Sequence, residues 1–181
     1  MEKRESEFQL LEKQALGILT DETEPNENYR ELTIYISSSP SFSDYTSWLV
    51  FADVHETAFM LRRTVWRRTF DTQRFRDPLA GLRHGWNTEP TISVTLTELP
   101  SPKIADLLSS ARSLDIPEIG LDLRLKQGIV LDGTRWFAFV AHAFGNRSYT
   151  WSTVPPEWKP VVRWTEQATA FLNSVVEGNR I

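Results

Sequence analysis

Six arginines lie within the stretch LRRTVWRRTFDTQRFRD, Leu61–Asp77, although the whole chain has a formal net charge of −4. Trp66, Phe70 and Phe75 are interleaved with them. Guanidinium groups bind phosphate and carboxylate through paired hydrogen bonds, and they also stack on aromatic rings. The pattern predicts an anion-binding surface with these candidate contact residues: Arg62, Arg63, Trp66, Arg67, Arg68, Arg74 and Arg76.

The distribution of charge offers a structural explanation for the same residues. Residues 1–54 hold four basic and eleven acidic side chains, a balance of −7, whereas residues 55–84 have a balance of +4. These two parts can neutralise each other in the fold, and charge on an edge strand also prevents sheet-to-sheet association. We favour this structural interpretation and keep the interaction surface as the second one.

Other chemistry has little support in the sequence. The three histidines, His55, His84 and His142, have no paired metal-ligand spacing, and the chain contains no cysteine. Thiolate nucleophiles, disulfides and cysteine-ligated zinc are therefore excluded. Neither a glycine-rich phosphate loop nor a G-x-S-x-G turn is present. The sequence predicts no metal site and no cofactor, and it leaves the catalytic residues of any enzyme unknown.

A group of aromatic residues near the C-terminus could form a ligand platform. Its members fall on adjacent predicted strands or at the start of the last predicted helix: Trp136, Tyr149, Trp151, Trp158 and Trp164. Large aromatics between a sheet and a helix more often form the core, and we favour that interpretation.

Hydrophobic spacing predicts three helices. The first covers residues 5–19, with Phe8, Leu11, Ala15 and Ile18 on one stripe. The second lies near residues 103–114, with Ser101 as its capping residue and Pro102 at the first helical position. The third begins near Lys159, and its stripe contains Val161, Trp164, Ala168, Phe171, Leu172 and Val175.

Alternating apolar residues predict the strands. Five of them fall at residues 31–37, 47–54, 58–70, 91–97 and 121–126. A sixth follows the Asp132-Gly133 hairpin signal, GNRS forms the next turn, and YTWS is the last strand. The segment around Pro40 and residues 77–90 are predicted loops. A helix over 48–68 is the competing interpretation, because no glycine or proline interrupts that segment.

Runs of strands without regular strand–helix alternation predict an α+β fold. We expect a single domain over residues 1–181, with a mainly antiparallel sheet packed by two to three helices. Residues 1–30 form an N-terminal helix and an acidic loop, which we place at the periphery.

Composition also limits the location and the partner. The N-terminus has no apolar signal region, and no apolar run approaches the roughly 18 residues of a membrane span. Together with the lack of cysteine, this predicts a soluble cytoplasmic protein without membrane contact. A pI near 5.5 argues against a nucleic-acid partner.

Two functions of different classes follow. The lack of catalytic motifs favours a non-catalytic binding or protein-interaction domain whose partner is an acidic protein or an anionic small ligand. The alternative is an enzyme that acts on an anionic small substrate held by the Arg62–Arg76 cluster, with His55 or His84 as its acid–base group. The sequence does not constrain the oligomeric state.

Overall fold

The computed structural model describes residues 2–77, 89–114, 133–142, 145–152, 154 and 156–178. Its elements follow the chain in this order: α1 (Glu2–Leu19), β1 (Glu31–Pro40), β2 (Tyr45–Ala52), β3 (Phe59–Trp66), α2 (Arg68–Arg76), β4 (Ile92–Leu99), α3 (Ser101–Arg112), β5 (Thr134–His142), β6 (Gly145–Trp151) and α4 (Lys159–Gly178). A 3₁₀ turn, Pro156–Trp158, precedes α4.

The strands form one six-stranded antiparallel sheet in the order β4-β3-β2-β1-β5-β6. The first four strands make a meander, in which each strand pairs with the next one along the chain. β5 then pairs with the free side of β1 and carries β6 as its hairpin partner. The predicted α+β class with a mainly antiparallel sheet is confirmed.

One side of the sheet, called the main face here, carries the larger core. Alternate residues of β1 and β2, such as Ile34, Ile36 and Val50, are fully buried on it. Helices α3 and α4 cover this face and contribute their own apolar stripes. The buried residues of the two helices are Ile104, Leu108, Ala111, Val161, Trp164, Thr165, Ala168, Thr169, Leu172 and Val176.

Helix α1 packs on the opposite side, the second face, next to β3. Leu11, Ala15 and Leu19 are buried there around Trp66, which has no exposed surface. Positions 11, 15 and 19 recur every four residues and therefore lie along one line of the helix. Ile18, which the sequence analysis placed on this stripe, is instead 42% exposed.

The predicted strand over residues 58–70 is too long. β3 ends at Trp66, and α2 begins two residues later. The Arg67 N–H donates to the carbonyl of Thr91, and the Asp71 N–H donates to the carbonyl of Arg67, which starts the helical turn. Asp44, in the β1–β2 turn, accepts from the Thr69 N–H at 3.1 Å and so satisfies one of the free donors of α2.

Two further interpretations of this region are wrong. The competing helix over 48–68 is replaced by the antiparallel pair β2 and β3. β3 is also not an edge strand, because it pairs with β2 on one side and β4 on the other. Alternation of face explains the mixed composition of β3 that suggested an edge: Arg62 lies on the second face, and Arg63 lies on the main face.

Smaller differences concern the ends of elements. Pro100, not Ser101, is the capping residue of α3, and the Ser101 hydroxyl donates instead to the carbonyl of Thr57 at 2.6 Å. β1 continues through Pro40, and residues 145–148 belong to β6 rather than to a turn. The predicted strand at 121–126, Asp132 of the hairpin signal and most of the predicted loop at 77–90 lie outside the described residues.

The turn between β2 and β3 is organised by one carboxylate. Asp53 accepts from the Thr57 hydroxyl at 2.7 Å and from the N–H groups of Thr57 and Ala58 at 2.6 and 3.1 Å. Hydrogen bonding to the Thr57 side chain, followed by the backbone bonds, lowers the pKa of Asp53 below its ordinary value of 3.8. Glu56 completes the turn with a left-handed φ of 52°.

We expect this turn to loosen at acidic pH. The pKa of Asp53 is lower in the folded protein than in the unfolded chain, where it is 3.8. The carboxylate therefore stabilises the turn fully above pH 3.8, and this stabilisation is lost as pH falls through the folded pKa. Protection of the Thr57 amide from hydrogen exchange should fall over that range, and Asp53→Asn should remove the pH dependence. The expectation would be contradicted if the Thr57 amide of the native protein kept the same protection until Asp53 was fully protonated.

Candidate functional site

The arginine-rich stretch divides between β3 and α2, and a buried carboxylate lies at the junction. Asp71 has no exposed surface. Its Oδ2 accepts from the Trp66 indole N–H at 2.8 Å and from the Thr91 N–H at 2.8 Å. Its Oδ1 accepts from the Thr91 hydroxyl at 2.7 Å and lies 3.2 Å from Nη2 of Arg74. Asp71 thereby joins α2 to the last residue of β3 and to the start of β4.

Arg62 is directed inward on the second face. Its Nη1 donates to the carbonyl of Thr23 at 2.8 Å and lies 3.9 Å from Oδ2 of Asp21. Its guanidinium also lies over the ring of Phe51, 5.4 Å from the centroid. With only 12% of its side chain exposed, Arg62 holds the segment after α1 against the sheet.

Arg68 holds α2 against two other elements. Its Nη1 donates to the carbonyl of Ser41 at 2.9 Å, and its Nε lies 3.6 Å from Oε1 of Glu12 in α1. Its guanidinium lies 5.1 Å from the centre of the Tyr45 ring. Burial raises the pKa of Tyr45, and the positive charges of Arg68 and Arg135 act in the opposite direction. Arg62 and Arg68 thus each contact a carboxylate of the acidic first third.

Arg74 and Arg63 also face other parts of the protein. Arg74, 10% exposed, contacts Asp71 and donates to the carbonyl of Glu89 at 3.0 Å. Arg63 is half-buried on the main face, directly opposite Trp48 of β2. The Trp48 indole N–H donates to Asn173 of α4, so this position lies close to the covering helix.

Arg67 and Arg76 are the two arginines of the stretch that are exposed. On α2 the exposed positions recur at helical spacing, and they include Phe70, which is 42% exposed. The Arg67 guanidinium lies over the Phe70 ring at 5.5 Å. Phe42, 78% exposed, belongs to the turn whose Ser41 and Asp44 contact the first turn of α2. We call Phe42, Arg67, Phe70 and Arg76 the outward patch.

The structure therefore separates the seven predicted contact residues. The outward patch keeps two of them, Arg67 and Arg76, and adds two aromatic residues that the prediction did not include. Trp66 is buried beneath α1 and cannot contact a partner. Phe42 had a sequence signal, because a lone aromatic in the polar segment SSPSFSD has no obvious core to enter.

The histidines form no catalytic group in the part of the chain that is described. His55 is exposed in the β2–β3 turn, where its charge acts on Asp53. His84 lies outside the described residues, and of His142 only the backbone in β5 is described. The described residues also contain no group of three or more histidine or carboxylate side chains that could hold a metal ion.

A narrow cleft lies on the main face between α3, β5, β6 and α4. Its volume is about 10 Å³, and its lining residues are Ala111, Arg112, Leu114, Val140, Arg147, Tyr149, Val161 and Trp164. That volume holds about one water molecule. Arg147 is already engaged there, since its Nη1 donates to the carbonyl of Leu114 at 3.0 Å. Among the described side chains, no histidine lines this cleft next to its two arginines.

The C-terminal aromatics pack against one another and against the main core. Trp136 and Trp151 stack at 6.3 Å with an angle of 11° between their planes. Trp158 contacts Trp151 and Tyr149 edge-on. Trp151 and Trp164 are almost completely buried, so these rings form part of the core under α4.

Comparison with protein-family models, with curated proteins and with solved structures finds no match to this chain. Among the described residues, no helix combines the length and apolar character needed to cross a membrane.

Proposed function

We propose that this protein is a non-catalytic interaction domain that binds an acidic protein through the outward patch. The observation that carries the proposal is the division of the arginines. Arg62, Arg68 and Arg74 are used in internal contacts, whereas Arg67 and Arg76 are exposed, and Arg67 lies over the exposed ring of Phe70.

The chemistry of the patch suits a protein surface. Arginine and aromatic residues are enriched at the energetically important positions of protein interfaces. The Arg67 guanidinium is exposed to solvent and stacked on Phe70, which restricts the conformations of the side chain. Less conformational entropy is therefore lost when Arg67 binds a carboxylate. Phe42, at 78% exposure, supplies apolar surface for the same contact.

The helix and the turn that carry the patch are anchored to the sheet by hydrogen bonds. Asp71 fixes α2 through contacts to β3 and β4, and Asp44 and Ser41 fix its first turn to the β1–β2 hairpin. Side chains on elements anchored in this way keep a defined geometry before binding, which reduces the cost of association.

An acidic protein fits better than the other anionic partners. The net charge of −4 is unfavourable for nucleic acid. Sites for small molecules are concave and typically enclose at least about 300 Å³, whereas the outward patch lies on a helix and a turn. The absence of cysteine supports a cytoplasmic location in this proposal.

Replacing both Arg67 and Arg76 with alanine should abolish capture of the partner without unfolding the protein. Exposed side chains usually change stability by within about 0.5 kcal/mol. The native protein, the double variant and Arg163→Ala should each be immobilised and used to capture proteins from native lysate. Arg163 is the matched control, since it is exposed on α4, which covers the other face of the sheet.

The expected result is an acidic protein retained in stoichiometric amount by the native chain and by Arg163→Ala, but not by the double variant. Retention should decrease between about 50 and about 300 mM salt, because screening shortens the range of charge attraction. Equal retention by the double variant, or recovery of nucleic acid alone, would refute the proposal.

A further inference from the structure

The two edges of the sheet differ in how they are protected against pairing. β6 begins with glycine and carries Arg147, and both features discourage a further strand from adding. Along β4, by contrast, residues 91–97 (TISVTLT) contain no charge, no glycine and no proline. An uncharged edge of β-forming residues is a ready template for another strand.

The exposed side chains of β4 strengthen this contrast. Val94 and Leu96 are 53% and 51% exposed. Both lie on the second face, opposite Thr64 and Arg62 of β3. Among the described residues, β4 pairs with β3 alone, and no described strand lies along its other side, beside the two exposed apolar side chains.

We propose that the free edge of β4 binds the β4 of a second copy of this chain in antiparallel orientation. The twofold axis passes through Thr95, so that Thr95 faces its own counterpart and each Val94 faces Leu96 of the other copy. This register overlaps almost the whole strand and keeps all four apolar side chains on the second face. The contact is isologous, and it joins the two six-stranded sheets into one.

Charge at the two ends of β4 selects this orientation. Glu98 is exposed at the C-terminal end. At the other end lies the exposed Arg67, whose N–H donates to Thr91 just before β4. In the antiparallel pair, the backbone of Glu98 in each copy lies two strand spacings from the backbone of Arg67 in the other copy. Two strand spacings are about 10 Å. Opposite charges still attract across that distance without an ion pair. Parallel in-register pairing would instead place the Glu98 carboxylates of the two copies side by side, which is unfavourable.

A single introduced cysteine tests the predicted axis, since the native chain has no other thiol. Directly opposed Cα atoms in an antiparallel pair are about 4.5–5.5 Å apart, a distance that a disulfide spans. Mild oxidation of Thr95→Cys should therefore give a covalent dimer. Val54→Cys, at a 64% exposed position in the β2–β3 turn, is the matched control and should cross-link at least about tenfold more slowly.

Sedimentation of uncrosslinked protein gives an independent readout. The native chain should sediment as a dimer, and Val94→Lys combined with Leu96→Lys should raise the dissociation constant at least about tenfold, whereas Val54→Lys should not. Circular dichroism checks that each variant is folded, and Thr95→Cys supplies the test if the lysine variant is not. Any one of three results would overturn the proposal. The native chain could stay monomeric up to about 0.5 mM, the dimer could be unaffected by the two lysine substitutions, or Val54→Cys could cross-link as fast as Thr95→Cys.

Discussion

Replacing Asp71 with alanine should lower the free energy of unfolding by about 3–5 kcal/mol. The substitution leaves the buried indole N–H of Trp66 and the part-buried N–H of Thr91 without an acceptor, and it leaves the Arg74 guanidinium without its carboxylate. Each unsatisfied buried donor costs roughly 1–3 kcal/mol. Small domains are stable by only about 5–15 kcal/mol, so the loss should be visible in any denaturant melt.

Two variants define the interpretation of that result. Asp106→Ala removes an exposed carboxylate from α3 and should change stability by no more than about 0.5 kcal/mol. Asp71→Asn keeps the volume and one acceptor oxygen, so its loss should be smaller than that of alanine. A change of less than about 1 kcal/mol in Asp71→Ala would show that the contacts around Asp71 contribute little net stability.

The second large effect is expected from Leu11→Ala, which should destabilise the protein by about 2–5 kcal/mol. Leu11 is 1% exposed and packs beside Trp66, so truncation leaves a cavity between α1 and the second face. The neighbouring Leu10 is 58% exposed and is a control of identical chemistry. Leu10→Ala should have an effect within about 0.5 kcal/mol.

The same pair of variants measures how firmly α1 is attached. A loss of global stability in the denaturant melt means that α1 unfolds together with the sheet. Rapid proteolysis between α1 and β1 in Leu11→Ala, with an unchanged melt, would mean that residues 1–30 separate from the sheet as a unit. Equal melts and equal proteolysis of the two variants would contradict the expected role of Leu11.

Periodicity was sufficient to predict most of the elements because the main face is so regular. Ile34 and Ile36 alternate with polar neighbours, and Val161, Trp164, Ala168 and Leu172 repeat at helical spacing. The end of β3 could not be read in this way. Thr69 and Phe70 favour extended chain, and the contacts that start α2 come from Asp44 and Thr91, 25 and 20 residues away from the positions they contact.

The candidate site was predictable only as a stretch of sequence. The direction of each arginine depends on where β3 stops and α2 begins, and that boundary is set by tertiary contacts. Arg62 and Arg63 point to opposite faces because they are neighbours in a strand. Arg67 is exposed at the junction between β3 and α2, and Arg76 is exposed at the last residue of the helix that Asp71 anchors. Charge and composition alone contain no information on this division.

The order of strands has a consequence for how the chain folds. Pairing β1 with β2 closes a short loop, the turn at residues 41–44. Pairing β1 with β5 closes a much longer one, because Ser41 then contacts Gly133, 92 positions along the chain. Closing the longer loop costs about 3 kcal/mol more in chain entropy. We therefore expect the meander to assemble first from local contacts and the β5–β6 hairpin to dock later. Until that step, the inner edge of β1 is open to solvent, and during synthesis it stays open until β5 has left the ribosome.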